Sequence, residues 1–183
     1  MTITQRLMLT IGLLAAVMAG LAGWNYAQLN QVGALAGKAG TVRVPQLHDI
    51  ASVELNVTRV SLQLRHAMLA RTPQEQQAAL DDIAQKRKDI EHALRNYEQK
   101  LYTEQGRQRF APVPGLVQAF WAQGEANLRL IQQGRKDEAF AYLVDHTIPA
   151  RNALLAVLDS TVDYQVQTLS GDIGQVQALI RNT

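Results

Sequence analysis

Arg59, Arg65 and His66 stand close together in RVSLQLRHAMLARTPQEQ, residues 59–76. A guanidinium carries N–H donors in a rigid planar fork and can take a carboxylate through two parallel hydrogen bonds. A second group lies in AYLVDHTIPAR, residues 141–151, where Tyr142, His146, Thr147 and Arg151 surround Pro149. Proline disfavours a helical residue before it and leaves backbone groups unpaired. A kink that bears hydroxyl and imidazole groups and faces arginines has the makings of a small-anion site. The chemistry offered is binding, not bond breaking.

Other chemistries find little support. The chain has no cysteine, which removes disulfides, thiol catalysis, thiolate metal sites and covalent haem. No nucleophile is paired with a base, no glycine-rich phosphate loop occurs, and no ordered carboxylate pair is present. Asp81 and Asp82 read as a solvent-facing pair. A metal or haem bundle would want inward Glu-x-x-His motifs, which EHAL at Glu91 and HAML at His66 do not supply. His48, His66, His92 and His146 are scattered and read as polar surface or half-buried residues. No enzyme, no cofactor and no metal are expected. A net charge of only +2 gives no footprint for nucleic acid.

The elements that must position these groups are helices. Ala, Leu, Gln and Val dominate, and there are only five prolines in 183 residues. In the first stretch Ile50, Val53, Val57, Val60, Leu64 and Ala67 alternate spacings of three and four, an a/d seam. TPQE at Thr72–Glu75 opens the next helix, with Thr72 as N-cap, Pro73 in the first position and Glu75 completing a capping box. That helix is expected to run to Glu104, with Leu80, Ile83, Arg87, Ile90, Leu94, Tyr97 and Leu101 on its seam. FAPVPG, residues 110–115, breaks it. A third helix, from Val113 to Gln133, sets Val117, Phe120, Leu128 and Ile131 on one stripe beside Trp121, and Gly134 closes it. A fourth begins near Arg135, is interrupted at residues 145–151, and continues through Leu155, Leu158, Val162, Val166, Leu169, Ile173, Val176 and Ile180. Short connections make this an all-α, antiparallel up-down four-helix bundle.

The first helix carries a second stripe opposite its seam: Ser52, Leu55, Arg59, Leu62, His66 and Leu69. A second apolar face points to another chain, so a homodimer is expected. Two readings of the cations remain open, solvated rim charges beside that contact or an anion pocket between subunits. Depth along the bundle favours convergence. Counting from the Thr72 and Gly134 turns, Arg65 lies roughly 10 Å down, Arg59 roughly 20 Å, Thr147 roughly 16–18 Å and Arg151 roughly 22–24 Å.

No charged residue occurs from Leu7 to Gly37, and LMLTIGLLAAVMAGLAGW fills Leu7–Trp24. About 20 apolar residues span a bilayer. Arg6 is the positive flank, and Trp24 and Tyr26 sit where interfacial aromatics belong. A cleaved signal peptide fits less well, because its apolar core is shorter and GLA at Gly20–Ala22 is a poor cleavage site. Residues 1–6 are thus expected in the cytoplasm, 7–29 in a bacterial inner membrane, and 30–183 in a periplasmic bundle.

This order of parts resembles the methyl-accepting chemotaxis proteins of the aspartate and serine receptor type. APVPGLV, Ala111–Val117, is similar to the proline-bearing link between that family's second and third helices. AYLVDHT, Ala141–Thr147, is similar to the stretch opening its fourth helix, where a tyrosine and a threonine help hold the ligand. The resemblance implies that role for Tyr142 and Thr147. It implies that arginines of the first helix serve from both subunits, with Arg65 the better match and Arg59 the lesser. Asp145 stands where the amino-acid receptors carry an amide, and Arg151 adds a cation. These departures favour an acid with two or three carboxylates, such as malate or citrate, over an amino acid. The resemblance also implies a longer protein with a second span and a cytoplasmic signalling hairpin. A histidine kinase or cyclase can carry the same sensor. A membrane-anchored adaptor or structural protein needs the bundle but no pocket.

Overall fold

The computed structural model describes residues 3–181. Met1, Thr2, Asn182, Thr183 and the Arg6 side chain lie outside it, so the assignment of residues 1–6, with Arg6 as positive flank, falls partly outside the described residues. In chain order the elements are α1 (Ile3–Lys38), a π-helical segment (Ala39–Arg43), α2 (Val44–Leu69), α3 (Pro73–Gln99), α4 (Glu104–Phe110), α5 (Val113–Gln132), α6 (Lys136–Tyr142), a second π-helical segment (Leu143–Thr147) and α7 (Ile148–Arg181). No strand occurs among the described residues. The fold is the expected all-α four-helix bundle, built from α2, α3, α5 and α6–α7.

Two compact units divide the chain, Met1–Thr41 with Thr168–Thr183, and Val42–Gln167. In the first, α1 is long and apolar enough to cross a membrane. Its large side chains, among them Leu13, Leu14, Trp24 and Tyr26, are exposed.

The second unit holds the core. The α2 seam is as its spacing predicts: Ile50, Val53 and Val57 are fully buried, and Val60, Leu64 and Ala67 nearly so. Ile83, Ile90 and Tyr97 of α3, Val113, Phe120 and Ile131 of α5, and Leu154 and Leu158 of α7 complete it. Tyr97 packs on Phe110 at a ring distance of 5.2 Å, and Phe120 on Trp121 at 5.2 Å. Each fully buried aliphatic side chain contributes about 1.5–3 kcal/mol.

Several local expectations are corrected. α3 ends at Gln99, not Glu104. Thr103 turns extended and its hydroxyl accepts from the Gly106 N–H at 3.1 Å, so a separate helix, α4, starts there. Gly106 is needed at this turn because a Cβ would lie 2.8 Å from the Thr103 hydroxyl. Arg87 is not in the core. It reaches outward to Glu125 at 2.7 Å and stacks over Trp121. Thr72 caps α3 as expected, but the Glu75 carboxylate takes the Arg71 N–H at 2.9 Å. On α7 the buried line is Leu154, Leu158, Thr161 and Gln165. Val166 is exposed, because the polar Thr161 and Gln165 occupy the inward face that apolar type alone assigned to Val162 and Val166.

Pro149 does not interrupt the fourth helix. Ile148 keeps helical angles, and the chain widens instead into the π turn just ahead of it. The same arrangement occurs at Ala39–Arg43, ahead of Pro45. A proline ring clashes with the carbonyl four residues back in a regular helix. A wider turn holding one extra residue relieves that clash. Gly134, at φ 73°, reverses the chain between α5 and α6.

Candidate functional site

The face formed by α2 and α7 is electrically divided. Arg151, half-buried on α7, has its guanidinium pushed below the ordinary value by burial first and then by the charge of Arg65 on α2. The two cations therefore share one neighbourhood. The Arg151 fork rests on the amide oxygen of Asn152, through Nε at 3.1 Å and Nη2 at 2.8 Å. That partner is neutral. No ion pair within 4 Å joins Arg59, Arg65 or Arg151 to a carboxylate among the described residues. Arg59 is exposed on the same helix. Further along the face the sign reverses: Glu54 on α2 is held above the usual carboxylate range by burial, then by Asp159 and Asp163 of α7.

Tyr142 and Thr147 converge elsewhere, on Gln123 of α5. The Tyr142 hydroxyl donates to the Gln123 Oε1 at 2.6 Å, and the Thr147 hydroxyl donates to the Gln123 carbonyl at 3.5 Å. Thr147 is completely buried. The His146 ring lies against that of Tyr142 at 4.5 Å. Tyr142, Asp145 and His146 border an open groove of about 570 Å³ whose other wall includes Arg129 of α5 and Gln133 just past its end. Asn127 ties α5 to α6 by donating to the Ala139 carbonyl at 2.8 Å.

His66 faces a third place. Its Nδ1 lies 3.2 Å from the Gln63 amide oxygen, and it borders a shallow hollow with Leu69, Glu75 and Ala79. The expected site residues thus fall into separate neighbourhoods: Arg65 with Arg151, Tyr142 with His146 and Thr147, and His66 near the tip. Among the described residues no cluster of three or more His, Asp or Glu side chains could hold a metal ion.

Gln123 and Asn152 are the partners that sequence reading missed. Each is an ordinary polar residue on a helix, and its part depends on a neighbour that pattern alone does not place. Arg129 gave no signal either.

The chain matches, over residues 1–172, the family model described as a four helix bundle sensory module for signal transduction, and it belongs to that family. The resemblance read from the sequence is borne out at that level. Among solved structures it is similar to a periplasmic sensor domain of a sensor histidine kinase, with a TM-score of 0.66 and 19% identity over 78% of this chain and 95% of that one. That likeness is one of fold. No curated protein matches.

Proposed function

We propose that the chain is the sensing part of a chemoreceptor, anchored in the bacterial inner membrane by residues 7–29, with its bundle in the periplasm, and that it binds a small organic anion without catalysing a reaction. A di- or tricarboxylate such as malate or citrate fits better than an amino acid. The observation that carries this reading is the approach of Arg65 and Arg151 without a neutralising carboxylate. Two like charges held together by a fold cost stability, and an anion between them removes that cost. An ammonium group would gain nothing there.

In this reading the apolar stripe of Leu55, Leu62 and Leu69, exposed in the single chain, is covered by a second copy. Arg59 and His66 then stand at the contact. Tyr142, His146 and Thr147 fix the π turn from which α7 departs. The ligand shifts the α2–α7 packing only by its difference in affinity for two arrangements, on a scale of about 1–2 Å. A histidine kinase is a second output for the same sensor. It is favoured by the description of the similar periplasmic domain.

Calorimetric titration of the full chain in detergent with organic acids and amino acids tests the reading. Binding of a di- or tricarboxylate, weakened about 10–100-fold by Arg65→Ala or Arg151→Ala, is the expected result. No binding to any member would favour a membrane-anchored adaptor. Sedimentation with and without the bound acid tests the dimer.

A further inference from the structure

The guanidiniums of the bundle differ in what their Nε edge meets. Arg87, Arg107 and Arg135 each donate Nε–H to a glutamate: Glu91 at 3.3 Å, Glu104 at 3.3 Å and Glu138 at 2.7 Å. Arg151 donates from Nε to the amide oxygen of Asn152 instead, and its Nη2 donates to the same atom. Adjacent positions on a helix point about 100° apart and do not face each other. The Arg151 side chain therefore meets Asn152 only by lying sideways across the surface of α7. Two bonds to one oxygen then set the plane of its fork.

That orientation decides which donors remain. A guanidinium carries five N–H groups. Asn152 closes the edge shared by Nε and Nη2. Arg151 makes no other hydrogen bond among the described residues, so the edge shared by Nη1 and Nη2 is open. That edge offers two parallel N–H groups, the arrangement a carboxylate takes. The amide carries no charge, so it holds the fork and leaves its positive charge whole. A carboxylate in the same place would hold the fork as firmly and cancel it.

We propose that Asn152 is a positioning residue for anion binding: its carboxamide closes one edge of the Arg151 guanidinium, leaves the Nη1–Nη2 edge for a carboxylate of the ligand, and steadies the fork without neutralising it. This role rests on the reading of Arg151 as part of the anion site. Asn152 itself touches no ligand. What position 152 must supply is a neutral acceptor, and an acidic side chain there defeats the site.

Asn152→Asp puts a charge where the amide stood at almost the same size and shape. Asn152→Ala releases the fork and adds no charge. Asn152 is exposed, so neither change disturbs the core. Calorimetry on the full chain in detergent, with malate or citrate, whichever binds the native chain, reads the effect. Asn152→Asp is expected to bind about tenfold more weakly at neutral pH. Its deficit should shrink as pH falls from about 7 to about 4, where the introduced carboxyl takes up a proton. Comparing variant with native chain at each pH cancels the titration of the ligand. Asn152→Ala is expected to bind about threefold more weakly, with a deficit that does not vary with pH. If Arg151→Ala weakens binding, then native affinity in Asn152→Asp, or equal deficits in both Asn152 variants at every pH, overturns the role of Asn152 alone. Binding of neither acid, or binding that ignores Arg151→Ala, overturns the anion reading and this role with it.

Discussion

Arg65 on α2 and Arg151 on α7 are like charges in one neighbourhood, where burial and then the charge of Arg65 lower the Arg151 guanidinium, and the amide of Asn152 steadies Arg151. This arrangement predicts two opposed effects of one substitution. Without ligand, Arg65→Ala relieves repulsion and leaves stability unchanged or raised by up to about 0.5 kcal/mol, since Arg65 is solvent-screened. With a dicarboxylate present, the same variant loses the ligand's stabilisation, which for the native chain is about 2.7 kcal/mol at a hundredfold excess over Kd. Thermal melts with and without malate or citrate separate the two.

Glu54 supplies a pH dependence of known sign. Its carboxyl titrates above the ordinary 4.5, through burial and then Asp159 and Asp163. The native state therefore holds a proton that the unfolded chain has released. Its contribution to stability is complete below pH 4.5 and is lost as pH rises through the raised value. Glu54→Gln is expected to raise stability at neutral pH and to flatten that part of the profile. Denaturant melts across the acid range measure it.

The Tyr142–Gln123 hydrogen bond holds the second π segment against α5. Tyr142→Phe keeps the ring against His146 and removes only the hydroxyl. A loss of about 0.5–1.5 kcal/mol is expected, with cooperative melting. Thr147→Val, at a buried position with a long 3.5 Å bond, should cost about 1 kcal/mol or less. If either change abolishes anion binding while Arg151→Ala does not, the site lies at the α5 groove instead.

Gly134 is the one described residue with positive φ, at 73°. Gly134→Ala should destabilise by about 1 kcal/mol through backbone strain alone, with the anion affinity unchanged. Chemical unfolding beside calorimetry checks both halves.

The α2 seam was legible because apolar residues there keep one period without exception. Tyr97 and Phe120 were legible for the same reason. The rule failed where polar residues point inward. Thr161 and Gln165 are buried on α7, and Arg87 interrupts an otherwise apolar line only to leave the core. The α3–α4 break was hidden because its cap is a threonine without glycine or proline beside it. At Pro149 the sequence signalled the disturbance but not its form, since a widened turn and a broken helix remove the same backbone clash. The nearness of Arg65 and Arg151 was not readable from residue counts, which set Arg151, about 22–24 Å down, nearer the level of Arg59 at about 20 Å than that of Arg65 at about 10 Å. Nor was the role of Gln123, because rotation of α5 about its axis depends on packing.

The two proline-led wide turns bear on chain length across relatives. Each holds one amino acid more than the regular turn it replaces. Dropping a residue from 39–43 or 143–147 would restore uniform winding and leave everything downstream on its own side. Dropping one at Ala84 would swing the remainder of α3 by about 100°. Single-residue gaps among homologous sequences should therefore collect at these two places, and a sequence with such a gap should also have replaced the proline that follows.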